Sequence, residues 1–266
     1  MELDLSGKRA LVTGSTLGIG RAIAECLISE GAEVVINSRD PDRVKAAVQE
    51  LEGLVKSRGS VTGIVANLSS AEGVDALISE IPDIDILVNN AGFFEVKPFF
   101  EIEDAEWFDM FELNVMSGVR LSRAFMQGML DRDWGRIIFI GSDQSSKPNP
   151  TMAHYAMTKT ALVSVARSLS ELTKGTSVTV NTVQVAPTWT DGVETFLGQL
   201  AEIDGTTVDE MSRAYFEEGE GQTSLLQRWA KPEEIANVVA FLCSPKASAI
   251  NGAAPRADGG MVRSLF

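Results

Sequence analysis

The chain has 266 residues, 44% hydrophobic and 23% charged, which suits a protein with a substantial buried core and rules out a disordered one. Its formal charge of −14 argues against nucleic acid as a partner, since a polyanion needs a basic face. No apolar run approaches the roughly 20 residues of a membrane span, and Met1–Lys8 carries no apolar signal core, so a soluble cytoplasmic protein with no membrane partner is expected.

The organising stretch is Thr13-Gly14-Ser15-Thr16-Leu17-Gly18-Ile19-Gly20, after the apolar run Ala10-Leu11-Val12. Ile19, Ile23 and Leu27 then recur every four residues and form one apolar helix face. Strand, glycine-rich turn and helix N-terminus follow in that order. Free N–H groups and the helix dipole at such a turn bind phosphate, and glycine lets a pyrophosphate approach the backbone.

Gly31 reads as the cap of that helix, and Glu33–Asn37 as a buried strand. Asp40 caps a second helix, with Pro41 in its first turn, running to about Leu54. Further strands are expected at Val61–Ala66, Ile84–Val88, Arg136–Ile140 and Ser177–Val183. Between them lie helices at Val74–Ser79, from Glu106 to Met129 and from Ala153 to Thr173. Such alternation predicts an α/β fold: three layers, with a doubly wound, Rossmann-type parallel sheet of about seven strands in the middle. No linker interrupts the series, so residues 1–266 read as a single dinucleotide-binding catalytic domain.

The regularity breaks at about 187–222, read as a helical substrate lid with helices at Val193–Ile203 and Val208–Phe216. A last helix runs from Pro232 to Leu242, and Ala254–Ala257 closes the sheet, with Pro255 suited to an edge strand.

Cys26 and Cys243 are the only cysteines and read as two buried thiols rather than a metal or redox pair. A single histidine, His154, leaves no His-rich zinc site and no Ser-His-Asp triad with a spare base, so no metal is expected. Acid–base chemistry must come from other side chains. Ligands in such sheets sit at the carboxyl ends of the strands. Those ends carry the glycine loop, Asn89-Asn90-Ala91-Gly92 and Gly141-Ser142. Tyr155 and Lys159 follow on one helix face, at i and i+4. A phenol has a pKa of about 10, and a nearby ammonium favours the phenolate. Ser142 can donate to an oxygen on which negative charge grows.

In this order the residues resemble the short-chain dehydrogenase/reductase family, in its shorter, single-domain branch. The resemblance runs from Leu5 to about Gly260, through Thr13-Gly14-x-x-x-Gly18-Ile19-Gly20, Asn89-Asn90-Ala91-Gly92, Asn114, Ser142 and Tyr155-x-x-x-Lys159. It implies a Ser142–Tyr155–Lys159–Asn114 catalytic set for hydride transfer between nicotinamide and a carbonyl or secondary alcohol. Tyr155 would protonate the carbonyl oxygen and Lys159 would lower its pKa and hold the nicotinamide ribose. Ser142 would orient the carbonyl, and Asn114 would hold a water leading from Lys159 to solvent. The cofactor would lie along Gly14, Ser15, Thr16, Leu17, Gly18, Ile19, Gly20, Asn90, Ala91 and Gly92, with Asn67 and Leu68 near adenine.

Cofactor choice has a physical handle. The second strand ends in Ser38-Arg39, not in the carboxylate that would repel a 2′-phosphate. Arg39 can pair with that phosphate, so NADP(H) is expected. After the sixth strand, Val185-Ala186 replaces the family's Pro-Gly if Thr190 is its threonine, whereas taking Pro187 as the proline puts Gly192 there. The first register is preferred, and it makes Thr188 and Thr190 cofactor neighbours. The substrate wall is drawn from Ser142, Gln144, Tyr155 and Trp189, with Phe93, Phe94, Met152, Phe196 and Tyr215 around them, and suits a medium-sized carbonyl compound or alcohol. By analogy the chain forms a homotetramer. The competing readings are a non-catalytic NADP-binding sensor or subunit, which has no need of the complete set, and a scaffold that binds no nucleotide.

Overall fold

A computed structural model describes residues 2–55, 59–81 and 83–265. Within them, seven strands form one parallel sheet in the order β3-β2-β1-β4-β5-β6-β7. They are β1 (Arg9–Val12), β2 (Glu33–Ser38), β3 (Ser60–Val65), β4 (Ile86–Asn89), β5 (Gly135–Ile140), β6 (Val178–Val185) and β7 (Arg256–Ala257). The chain reverses direction across the sheet between β1 and β4, which opens a crevice at their carboxyl ends.

The period of two along each strand divides the core. Ala10, Val12, Ile138 and Ile140 face one side, where α1 (Gly18–Ser29), α2 (Pro41–Glu52) and α9 (Pro232–Cys243) bring Ile23, Leu27, Leu51 and Val239. Leu11, Leu87, Ile137 and Phe139 face the other. There α3 (Ala71–Glu80), α5 (Ser117–Asp131) and α6 (Ala153–Glu171) bring Leu77, Leu121, Phe125 and Leu162. The central strands β1, β4 and β5 are therefore mostly apolar on both faces, as a sheet covered twice requires.

Three expectations need adjusting. The long helix from Glu106 is two helices, α4 (Asp104–Phe111) and α5, joined by a π-helical turn at Glu112–Met116. β6 runs on to Val185 because Gln184 and Val185 pair with Arg256 and Ala257 on the edge strand. Cys243 is buried, but Cys26 is only partly so, since it sits at the rim of the α1–α9 contact.

The segment after β6 forms α7 (Asp191–Asp204), α8 (Val208–Glu217) and a 3-10 turn at Glu220–Thr223. Thr190 and Thr207 cap the two helices through their hydroxyls. No helix among the described residues is long and apolar enough to cross a membrane.

Candidate active site

The glycine loop is stapled to the end of β4. Thr13 Oγ1 accepts hydrogen bonds from Asn90 N at 3.0 Å and Ala91 N at 2.9 Å. Asn90 Nδ2 in turn donates to the carbonyls of Thr13 and Gly14, both at 2.9 Å. Gly14 has φ +59°, and a Cβ there would stand 3.0 Å from Ala91 Cα. At Gly20 a Cβ would fall 2.4 Å from both Asn90 Nδ2 and the Gly14 carbonyl oxygen. These two glycines are thus required by close approach.

Ser15 is fully buried and turns inward, donating to the Val12 carbonyl and accepting from Asn37 N. Leu17 and Ile19 flank the start of α1, with Leu17 exposed and Ile19 packed toward the core. Thr16 is buried in the turn.

Beyond the loop lies a cavity of 640 Å³, lined among others by Gly14, Ser38, Arg39, Asn67, Leu68 and Gly92. Arg39 is exposed, and among the described residues it makes no ion pair, because Asp40 caps α2 and reaches Arg43 instead. Asn67 accepts from Ser69 N and Oγ through its side-chain oxygen, and Leu68 is buried beneath it. A dinucleotide fits this crevice chemically: a backbone cradle that tolerates no Cβ, an unpaired guanidinium at the far end, and no carboxylate at the tip of β2.

The second part of the site stands at the ends of β4 and β5. A Cβ on Gly92 would lie 3.0 Å from Asn114 Oδ1 and 3.8 Å from Lys159 Nζ, which places these three residues together. Asn114 lies in the π-helical turn. Its Oδ1 accepts from Phe93 N, and its Nδ2 donates to Phe93 O and Thr158 Oγ1. Lys159 Nζ donates to the Ile140 carbonyl at 2.9 Å and lies 5.5 Å from the centroid of the Tyr155 ring. Burial pushes Lys159 down to about 8 and Tyr155 up to about 12. Desolvation dominates the phenol here, offset in part by Ser142, and Lys159 is not among the groups that shift it.

Ser142 is 5% exposed and caps a 3-10 turn at Asp143–Ser145. Its Oγ accepts from Gln144 N at 3.2 Å and donates to Asp143 Oδ1 at 3.0 Å. Ser142 lies close enough to Tyr155 to offset part of the rise that burial imposes on the phenol. Asp143 itself escaped the sequence reading, because a carboxylate after Ser142 reads as a turn residue. It is 4% exposed, and burial lifts it to about 6.

The expected wall divides into two groups. Phe94 packs edge-on against Tyr155, with ring centroids 6.3 Å apart, and against Phe196 of α7 at 5.9 Å. Gln144 donates to Glu220 in the 3-10 turn after α8 at 3.4 Å, and Lys147 Nζ donates to the Glu220 carbonyl and Thr223 Oγ1. Trp189 packs against Trp229 and lines a recess with Gly18 and Arg21; Tyr215 stacks on the same Trp229. Thr190 caps α7 and lies 3.2 Å from where a Gly18 Cβ would be, so Thr190 rather than Gly192 abuts the glycine loop. Thr188 is buried and donates to the Ala186 carbonyl. His154 is enclosed against Trp107, with Nε2 3.4 Å from Glu95.

The sequence profile of the short chain dehydrogenase family matches residues 8–199. The uncharacterized oxidoreductase YvaG of Bacillus subtilis is 49% identical over 266 residues, covering all of both chains. The 3-oxoacyl-acyl-carrier-protein reductase FabG of Aquifex aeolicus is 36% identical over 98% of this chain and all of its own. Among solved structures, L-sorbose reductase from Gluconobacter frateurii, crystallised with NADPH and L-sorbose, superposes with a TM-score of 0.93 at 33% identity, both chains being covered in full. The chain belongs to the short-chain dehydrogenase family of oxidoreductases.

Proposed function

We propose that the protein is an NADP(H)-dependent oxidoreductase that interconverts a ketone and a secondary alcohol. The observation that carries this reading is the convergence of Ser142, Tyr155 and Lys159 at the carboxyl end of β5, beside the crevice that Arg39 closes. A relative of the same fold has NADPH and L-sorbose in its crystals, which makes a small ketose the first ketone to try.

When bound, a nicotinamide would supply or accept the hydride. Arg39 would pair with the 2′-phosphate, and the loop from Gly14 to Gly20 would take the pyrophosphate on its N–H groups, with Thr190 alongside. Tyr155 passes a proton to the carbonyl oxygen during reduction and takes one back during oxidation. Its high pKa in a buried setting keeps it protonated, as an acid must be before it acts. Lys159 would hold the nicotinamide ribose, and its own lowered pKa lets it hand on a proton near neutral pH. Ser142 places the carbonyl oxygen beside Tyr155. Asn114 fixes Phe93 and Thr158, and with them the wall on which Phe94 rests.

Assembly is proposed to be a homotetramer with α4, α5 and α6 at one interface, where Phe108 is 73% exposed in the single chain; light scattering measures it. The main test is NADPH oxidation with a panel of ketones including L-sorbose. Tyr155→Phe should lower kcat at least a hundredfold, on the order of a lost general acid, with NADPH affinity kept. Normal turnover by Tyr155→Phe would remove the assigned acid.

A further inference from the structure

We infer that Asp143 is a positioning residue that decides whether the Ser142 hydroxyl can donate to a substrate carbonyl. The inference rests on the roles proposed above for Ser142 and Tyr155. A hydroxyl has one proton to give and two lone pairs. Ser142 uses its proton on Asp143 Oδ1, and Gln144 N occupies one lone pair of its oxygen, which leaves the other open. With Asp143 ionised, the charged acceptor holds that proton firmly. A carbonyl oxygen is only an acceptor, so Ser142 then has nothing to offer it. An alcohol can still donate to Ser142.

The second carboxylate oxygen supports a role for the neutral form. Asp143 Oδ2 is buried and has no hydrogen-bond partner among the described residues. A buried ionised oxygen left without a donor costs more than the same oxygen in a carboxyl that carries a proton. The groups facing Asp143 work in both directions. Lys147, in the same loop, favours the anion, while Glu220 of the 3-10 turn after α8 and Asp258 after β7 oppose it. The phenols of Tyr155 on α6 and Tyr215 on α8 also lie within its field.

Once protonated, Asp143 donates to Ser142 Oγ, and the Ser142 proton swings to the carbonyl oxygen. No bond to a heavy atom is made or broken in this step. The reduction still consumes one hydride from the cofactor and one proton from Tyr155, and the Asp143 proton stays where it was. Ketone activation by Ser142 is therefore a property of neutral Asp143, and acceptance of an alcohol proton a property of its anion.

The experiment compares wild type and Asp143→Asn with NADPH and L-sorbose across pH. Asparagine can always donate to Ser142 but never ionises. In the wild type, kcat for reduction should fall about tenfold per pH unit once Asp143 ionises, down to a plateau roughly a hundredfold lower that reflects loss of one donor to the oxyanion. Oxidation of the alcohol by NADP⁺ should show no such fall. Asp143→Asn should lose the fall and exceed the wild type tenfold or more at pH 8. A variant that keeps the wild-type profile, or is slower by one constant factor at every pH, overturns the inference.

Difference infrared spectroscopy supplies a readout that needs neither turnover nor a change at Asp143. NADPH-bound wild type should show a protonated carboxyl stretch that vanishes as pH rises, and Ser142→Ala should shift it. Absence of that band, or indifference to Ser142→Ala, also overturns the inference. If calorimetry finds no NADPH binding, the proposed function fails, and the same band measured without nucleotide still decides the coupling of Asp143 to Ser142.

Discussion

Arg39 gives the sharpest test of cofactor choice. It is exposed, sits at the end of β2 and lines the far side of the 640 Å³ cavity, and among the described residues it pairs with no carboxylate. Arg39→Ala should therefore leave the folded protein as stable as before. A hydrogen bond to a charged group contributes about 1.5–3 kcal/mol, and an exposed one belongs near the lower end because water and salt screen it. That corresponds to a loss of about tenfold in NADPH affinity at physiological ionic strength, and more at low salt. NADH carries no 2′-phosphate, so its affinity should stay within about twofold by the same arithmetic. Isothermal titration calorimetry with both nucleotides, at two salt concentrations, measures the four values. If NADPH and NADH weaken together, or neither moves, Arg39 does not read the phosphate and the argument for NADP(H) fails.

Two further outcomes concern stability. Asn90→Ala removes both 2.9 Å bonds to the Thr13 and Gly14 carbonyls. At about 1 kcal/mol each, the Tm followed by circular dichroism should fall by about 4–8 °C; an unchanged Tm would show that the loop holds its shape without this clamp. The folded-state pKa of Asp143 lies near 6, above its ordinary 3.8, so native protein binds the extra proton. Its contribution is thus fully present below about pH 4 and is lost as pH rises through 6, with an upper bound of about 3 kcal/mol. Asp143→Asn should accordingly raise chemical-denaturation stability at pH 8 but not at pH 4, and an equal effect at both pH values would contradict the shift.

The order of strands and helices was readable because the central strands β1, β4 and β5 are apolar runs and the helices between strands repeat near 3.6. The glycine loop was readable because few other reasons place Gly14, Gly18 and Gly20 between Val12 and Ile23. The π-helical turn was not, since one extra residue in a turn leaves the local mixture of polar and apolar side chains unchanged. Asp143 was invisible for a different reason: its significance lies in burial and in the company of Glu220 and Asp258, which are distant in sequence. The effect expected of Lys159 on Tyr155 missed desolvation, which depends on how deeply both groups are sunk. The position of Trp189 depended on Trp229, forty residues later, and so could not be placed from its neighbours.

The widened turn at Glu112–Met116 has a consequence for how this chain can vary. It acts as a rotational slip joint between α4 and α5, so the angular setting of one helix does not dictate that of the other. Removing one residue from 112–116 would swing everything downstream by about 100° relative to α4, whereas a point substitution on the outer face of α4 leaves the α5 seam untouched. Leu121 and Phe125 consequently stay pinned to the sheet whatever rotational setting α4 takes against its own neighbours.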